Sequence, residues 1–481
     1  MFKKFIALFL ALFLFASPVL AMDGRMQGGF QGSLDESKRI LSEFPSGLTF
    51  YENYESGTDA TSLNAAYSVG SPTATFTASR PATTPATCID SNGVIQLTTT
   101  SNIPRFAGGY YDETGFHSAK GLMIEAAGTN LLKNTDGTAY GSGMWTNWDT
   151  TVSTASEPTK TNVAITDLIS ISGATSERLR YTGVPADVSA AITFHSAGTA
   201  VGSVVNTDVV TLSFYIRSQT GNTGVVIKPR ITTYTAADAG ITDYDSSTAI
   251  TTTTSWQKVS YTITVTDATS SFVRVTPVRI SAIDNTDLVD IEVACPQLEK
   301  NPYPTSFIPT TTAALTRDAE VLKYPIAGNR TAATETIAIK FMPLGGSFAN
   351  DGIMRFLTDT DTKRRLWLKS TDSTQSTFYP NLTDSSGTDV TSSTAQLLNT
   401  SYVDTVVCYG ETAGTNAEFY TNGESENTDI NNYTAPAWGT YFYLGSDSSG
   451  ATQLNGLIQS VAIHSRVLNS SEVLSEYGVL K

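Results

Sequence analysis

The stretch Val210-Thr211-Leu212-Ser213-Phe214-Tyr215-Ile216-Arg217 decides the class of the fold. Val210, Leu212, Phe214 and Ile216 alternate with Thr211, Ser213, Tyr215 and Arg217. A strand turns successive side chains to opposite faces, so a period of two sets an apolar face against a polar one. Antiparallel sheets with one face on a core and the other in water show this pattern. It recurs downstream. Val259, Tyr261, Ile263 and Val265 alternate with Ser and Thr, and Val289, Ile291 and Val293 put Asp290 and Glu292 on the opposite face. Ile337, Ile339 and Phe341 alternate with Thr336, Ala338 and Lys340. Turn-forming groups separate the runs: Ser91-Asn92-Gly93, Asp351-Gly352, Asn422-Gly423 and Ser448-Ser449-Gly450. Asn422-Gly423, following Phe419-Tyr420, suits a tight hairpin. A short helical pattern runs from Leu34 to Phe44 and stops at Pro45. Many short strands with regular turns predict an all-β chain of tandem antiparallel β-sandwich (jelly-roll) domains, preceded by an N-terminal β-rich segment.

Composition narrows the function classes. The 481 residues make room for about three domains at ~150 residues each. Only 16% are charged, against roughly 25% in ordinary soluble domains. With 21 Tyr, 21 Phe and 5 Trp there is ample apolar area to bury, which excludes a low-complexity disordered chain. A net charge of −15 excludes general nucleic-acid binding, which needs a basic face to displace counterions. Three His and three Cys leave no material for zinc clusters or a disulfide framework. Cys88, Cys295 and Cys408 lie far apart and read as isolated thiols acting as small buried hydrophobes.

Residues 1–21 read as a secretory signal. Lys3 and Lys4 start it, an apolar run from Phe5 to Ala16 follows, and Val19 and Ala21 are the small residues before a cut at Met22. The alternative, an uncleaved anchor, needs ~20 apolar residues to span a bilayer, and this run is shorter. The expectation is a secreted or cell-surface protein with no membrane insertion after cleavage. Two further boundaries stand out. Lys120 to Glu125 leads into Thr129-Asn130-Leu131-Leu132, and the Pro-rich stretch from Pro302 to Pro309 leads into a Thr run. Proline density fixes an extended connector there. The expected division is 22–123, 124–317 and 318–481.

The middle segment resembles a carbohydrate-binding module of the CenC type, a jelly-roll sandwich. The resemblance rests on Asn130-Leu131-Leu132 with Met144-Trp145-Thr146, the strand from Val210, Thr254-Ser255-Trp256-Gln257-Lys258-Val259, and Val289 to Val293 followed by Pro296-Gln297-Leu298-Glu299. The last segment resembles the laminin-G-like, concanavalin A-like jelly roll. Its marks are Phe419-Tyr420-Thr421-Asn422-Gly423, Tyr443-Leu444-Gly445-Ser446, the run from Leu454 to Ile463, then Arg466-Val467-Leu468 and Ser471-Glu472-Val473. The resemblance implies a hairpin, a strand, a glycine turn before the final strand, and a short closing helix. The whole layout also resembles phage tail and other virion surface proteins, through Thr75 to Thr83, Asp90 to Val94, Asn102 to Phe106 and the connector Tyr303 to Ala319. A signal sequence departs from that layout, so a bacterial surface protein built from the same modules is an equal reading.

Concanavalin A-like folds include glycosidases, which work with two carboxyl groups across a cleft. The one-strand motif Glu-x-Asp-x-x-Glu is absent, and Asp290 and Glu292 are followed by Val293, Ala294 and Cys295. No nucleophile constellation surrounds His117, His195 or His464, and no GxSxG, P-loop or HExxH pattern occurs. The chain therefore reads as a non-enzyme. The CenC-type resemblance implies a structural Ca²⁺ near a terminal strand, with Asp290 and Glu292 as its oxygen ligands. For sugar contact, planar aromatic rings are the natural surface. Trp367, between Leu366 and Leu368 and beside Arg365 and Lys369, is expected to face outward; Trp148 and Trp438 are the further candidates. Trp145 and Trp256 read as packed. The leading expectation is a secreted, non-catalytic, multi-module protein that binds a polysaccharide, a surface glycan or a surface partner. The alternative is a structural or adhesive component, a tail-fibre-like or filament subunit, assembling as a homo-oligomer through an edge strand in 22–123.

Overall fold

The computed structural model describes residues 44–54, 63, 66–78, 86–141, 144–145, 148–152, 159–181, 191–196, 201–220, 224–281, 289–330, 334–344, 353–358, 366–369, 377–383, 389–391, 396–397, 402–410, 418–427, 439–450 and 453–474. The leader at 1–21 and the helical pattern from Leu34 to Glu43 lie outside these residues. The described chain is nearly all β, as the period of two predicts.

One sandwich is built from both ends of the chain. In its larger sheet, Thr334–Pro343, Gly456–His464, Gly115–Ile124 and Arg105–Asp112 are consecutive neighbours. Gly456–His464 pairs along one edge with Thr334–Pro343. Along the other it takes Gly115–Ile124 and then Leu48–Asn53, with Leu48 opposite His464 and Asn53 opposite Ser460. The second sheet sets Thr75–Thr77 beside Val321–Pro325, then Tyr441–Leu444, Ile353–Thr358 and Leu366–Lys369. Phe50, Phe76 and Leu122 share the core between the sheets with Leu322, Phe442 and Val461. The Phe50 ring stands edge-on to Tyr324 at 4.8 Å and to Phe442 at 5.3 Å. Burying a Phe contributes about 1.5–3 kcal/mol, so this core, as well as the ladder, holds the early strand in place. Hydrogen bonding thus runs across the boundary expected at 123/124. Residues 44–124 supply strands to the sandwich that residues 321–474 complete.

The middle module leaves from that sandwich and returns to it. Its five-stranded sheet runs Thr159–Ala164, Thr175–Tyr181, Val289–Glu299, Val209–Ser218, Gln257–Thr264. Leu212, Phe214 and Ile291 meet Ile231, Val275 and Ile280 of the strands opposite. The inward alternation is as expected: Val210, Leu212, Phe214 and Ile216 are fully buried. The outward face departs from expectation, because Thr211, Ser213 and Tyr215 are buried too. Apolar residues of the 165–174 loop and Ile95 of the first sandwich cover it, in one cluster with Tyr215, Trp256, Ala294 and Phe307. A bulge at Cys295, φ 50°, shifts the register so that Ser213 faces Gln297 and Tyr215 faces Ala294.

The way back is held by Asn130. Its side chain donates to Ile308 O at 2.9 Å and accepts from Leu132 N and Leu298 N at 3.1 Å each, with no exposure. Leu315–Arg317 then pairs with Gly128–Asn130. The hairpin at Asn422-Gly423 forms as predicted, with φ of 53° and 83° and Thr421 opposite Glu424. A short helix at 470–474 closes the chain's described part.

Candidate functional site

Where the two sandwiches and the connector meet, an ionic core fixes the junction. Arg105 is fully buried and reaches Glu320 through Nε at 2.7 Å and Nη2 at 2.6 Å. The same Nη2 reaches Glu125 at 2.8 Å, and Nη1 donates to Ser306 Oγ at 2.8 Å. Arg317, also buried, lies 3.3 Å from Glu125 and donates to Ala126 O. Burial alone would raise the Glu125 carboxyl; Arg317 and Arg105 outweigh it and hold the pKa down to about 2. For Arg105 the order of forces is the same: burial opposes its charge, and Glu320 and Glu125 restore it. Ser306 completes the lock, donating to both oxygens of Glu125 through its N–H at 2.7 Å and its hydroxyl at 2.6 Å. Strand ends and connector are thereby tied to one fixed charge cluster.

Beside this lock opens a cleft of about 540 Å³. Its volume falls within the ~300–1,000 Å³ of small-molecule sites. Its lining includes Tyr110 to Thr114 from the first sandwich, Lys258, Ser260 and Thr262 from the middle module, and Pro302 to Phe307 from the connector. Alternation explains the second wall. Val259 and Ile263 point into the module's core, so Lys258, Ser260 and Thr262 share the outer face. Tyr111 stands edge-on to Tyr215 at 5.4 Å and donates its hydroxyl to Gly93 O. The Tyr110 ring is stacked on His117, centroids 5.0 Å apart. Asp112 folds its own turn, accepting from Thr114 and Gly115 and lying 2.9 Å from His117 Nε2.

Lys258 is the cation of the cleft. Its Nζ donates to Thr305 O at 3.1 Å. Burial pulls its pKa below the ordinary value, and Glu125 and Glu299 act at a distance in the other direction. Glu299, fully buried, accepts from Thr305 N, Thr305 Oγ1 and Gln297, each at 2.8 Å. Burial nevertheless raises its pKa.

The residues expected from the sequence lie elsewhere. Trp148, expected as a free ring, is 5% exposed in the core of the middle module, its Nε1 aimed at Lys133 O. The cause is its strand, Trp148–Val152, whose pairing with Ala191–Ser196 brings the indole inward. Trp256 is packed as expected, with the Arg217 guanidinium 4.3 Å above its ring. Trp367 falls on the strand Leu366–Lys369, but its side chain lies outside the described residues, and so does Trp438. Asp290 and Glu292, expected as cation ligands, are buried and spent on arginines and polar side chains. Both Asp290 oxygens accept from Arg178 at 2.7 Å, and Glu292 accepts from Ser176 at 2.9 Å and Arg217 at 3.0 Å. Adjacent strands bring those arginines opposite the carboxylates, Arg178 and Arg217 both in register with Glu292. Among the described residues no group of three or more His, Cys, Asp or Glu could hold a metal ion.

Among solved structures, the enzymatically active domain of tailspike protein 4 of bacteriophage CBA120 is similar at 14% identity and a TM-score of 0.25, over 35% of this chain and 21% of that one. The botulinum neurotoxin serotype D binding domain is similar at 9% and 0.26, over 33% and 40%. Domain 4 of AbnA, an extracellular arabinanase from Geobacillus stearothermophilus solved with arabinotriose, is similar at 14% and 0.24, over 32% and 71%. The chain thus spans well under half of the first two, and likenesses at this level say nothing of ligand or activity. No curated protein matches by sequence. Residues 327–474, the strands that complete the first sandwich, match the family model described as the concanavalin A-like lectin/glucanases superfamily.

Proposed function

We propose that the chain is a secreted, non-catalytic glycan-binding protein whose sugar site is the cleft between the two sandwiches. The observation that carries this reading is the lining of the 540 Å³ cleft: tyrosine rings, a row of hydroxyls and one ammonium, carried on paired strands and on the connector. Such a surface suits a sugar, which presents apolar ring faces and hydroxyl edges together. The superfamily match of residues 327–474 supports the class of ligand. In this reading the middle module is a CenC-type carbohydrate-binding module turned to serve a shared site. Two of the three carboxyl groups that line the cleft support binding over turnover, and the third, Glu113, has its pKa raised by burial and by the charge of Asp112. Glu125 is held ionised by two arginines, which unfits it as a general acid, and Asp112 is spent on its own turn. A glycan array on the full chain tests the proposal, with Tyr303→Ala as the site variant. Binding to a defined glycan that the variant loses is the expected result. Binding that survives Tyr303→Ala undiminished would move the site elsewhere, and hydrolysis of a bound glycan would replace binding with catalysis.

A further inference from the structure

We infer that the cleft selects an acidic glycan, a sugar carrying a carboxylate such as a uronate or a sialic acid, and that Lys258 is the group that pairs with that carboxylate. The inference rests on the glycan-binding reading above and names its ligand class. An ammonium has three N–H donors, and the Lys258 side chain spends one, on Thr305 O at 3.1 Å. The two carboxylates that act on it are committed, while Asp112 and Glu113 line the same cleft without an ion pair to it. Glu125 is shared by Arg105, Arg317 and Ser306, and Glu299 is held by Thr305 and Gln297. Lys258 thus forms no ion pair among the described residues, although it stands in a partly dehydrated cleft. A charge drawn out of water without a direct ion pair is costly, and a ligand anion in contact with it lowers that cost. The neighbouring geometry fits a sugar around the anion. Ser260 and Thr262 follow on the same face at strand spacing, about 7 Å per two residues, so hydroxyls continue outward from the ammonium.

The test is isothermal titration of the full chain with trigalacturonate and sialyllactose, each against its neutral counterpart, galactotriose and lactose. The variants are Lys258→Met, Lys258→Arg and Lys258→Gln. A charge-assisted pair implies a preference of roughly ten-fold or more for an acidic sugar. Lys258→Met should abolish the preference, bringing each acidic sugar down to the affinity of its neutral counterpart, and Lys258→Arg should restore it. Lys258→Gln keeps a donor for Thr305 without the charge, and gives the same reading should the Met variant fail to fold. Trigalacturonate or sialyllactose binding alone identifies which acidic sugar fits. Equal binding of acidic and neutral sugars, or a preference that survives both Met and Gln, would overturn the role of Lys258 while the glycan site stands. Absence of binding to all four sugars, with a neutral hit on an array, would overturn it in the same way; absence of any glycan binding would remove the site itself.

Discussion

Arg105→Met removes the centre of the junction without removing its bulk. The side chains of Arg105 and Glu320 have no exposure, and that of Glu125 has 9%. The substitution leaves two carboxylates facing each other through an apolar stem. Removing one partner of a buried pair typically costs about 3–5 kcal/mol. The Glu125 carboxyl, held from 4.5 down to about 2 by Arg317, Arg105 and Ser306 together, carries on the order of 3 kcal/mol of native-state stabilisation, of which Arg105 supplies a part. The sign follows from linkage. A depressed carboxylate stabilises the fold fully above pH 4.5, and that contribution is lost as the pH falls from 4.5 towards 2. Urea unfolding of the full chain at pH 7 and at pH 3, followed by circular dichroism, measures both effects. Arg105→Met should lower the stability at pH 7 by about 3 kcal/mol or more. It should also lose less than wild type between pH 7 and pH 3, because Arg317 and Ser306 then hold Glu125 without Arg105. A variant within 1 kcal/mol of wild type at pH 7, or one with an undiminished acid loss, would refute the reasoning.

Two further outcomes follow from buried polar groups. Glu52 faces the core of the first sandwich with Oε2 unpartnered among the described residues, and burial raises its pKa to about 8. A raised carboxyl costs stability as the pH climbs from 4.5 to 8, by about 5 kcal/mol at most, so Glu52→Gln should gain on wild type across that range in thermal melts; a constant difference between pH 5 and pH 8 would count against it. Asn130→Ala strands the amides of Leu132 and Leu298 and the carbonyl of Ile308, and chemical denaturation should show a loss of about 3 kcal/mol or more; a loss below 1 kcal/mol would show that the connector is held by other means.

Much of the local structure was legible in the residues, and most of the site was not. The alternation from Val210 to Ile216 correctly assigns the inward face, and Asn422-Gly423 correctly places a hairpin. Both depend on neighbours in sequence. The junction depends on partners hundreds of positions apart, such as Leu48 with His464 and Thr77 with Val321, and no spacing announces such a pairing. For the same reason the polar face of Val289–Glu299 reads as solvated until opposing arginines and an apolar cluster are seen to cover it. Trp148 reads as a sugar-contact candidate in the sequence, whereas its paired strand decides that the indole goes inward. Lys258, Ser260 and Thr262 could have been found as the outward set between Val259, Tyr261 and Ile263. That Tyr110 and Tyr303 line the same cleft could not, because the cleft exists only once the chain has returned to its first sandwich.

A crystal structure of the full chain with the oligosaccharide that binds it most tightly is the most direct test of a sugar site at the junction. The expected result is a sugar in the cleft, in contact with Tyr110 and Tyr303, with an acidic group against the Lys258 ammonium. A sugar seated on the face of the strand Leu366–Lys369 or on any other surface, with the cleft empty, would contradict it.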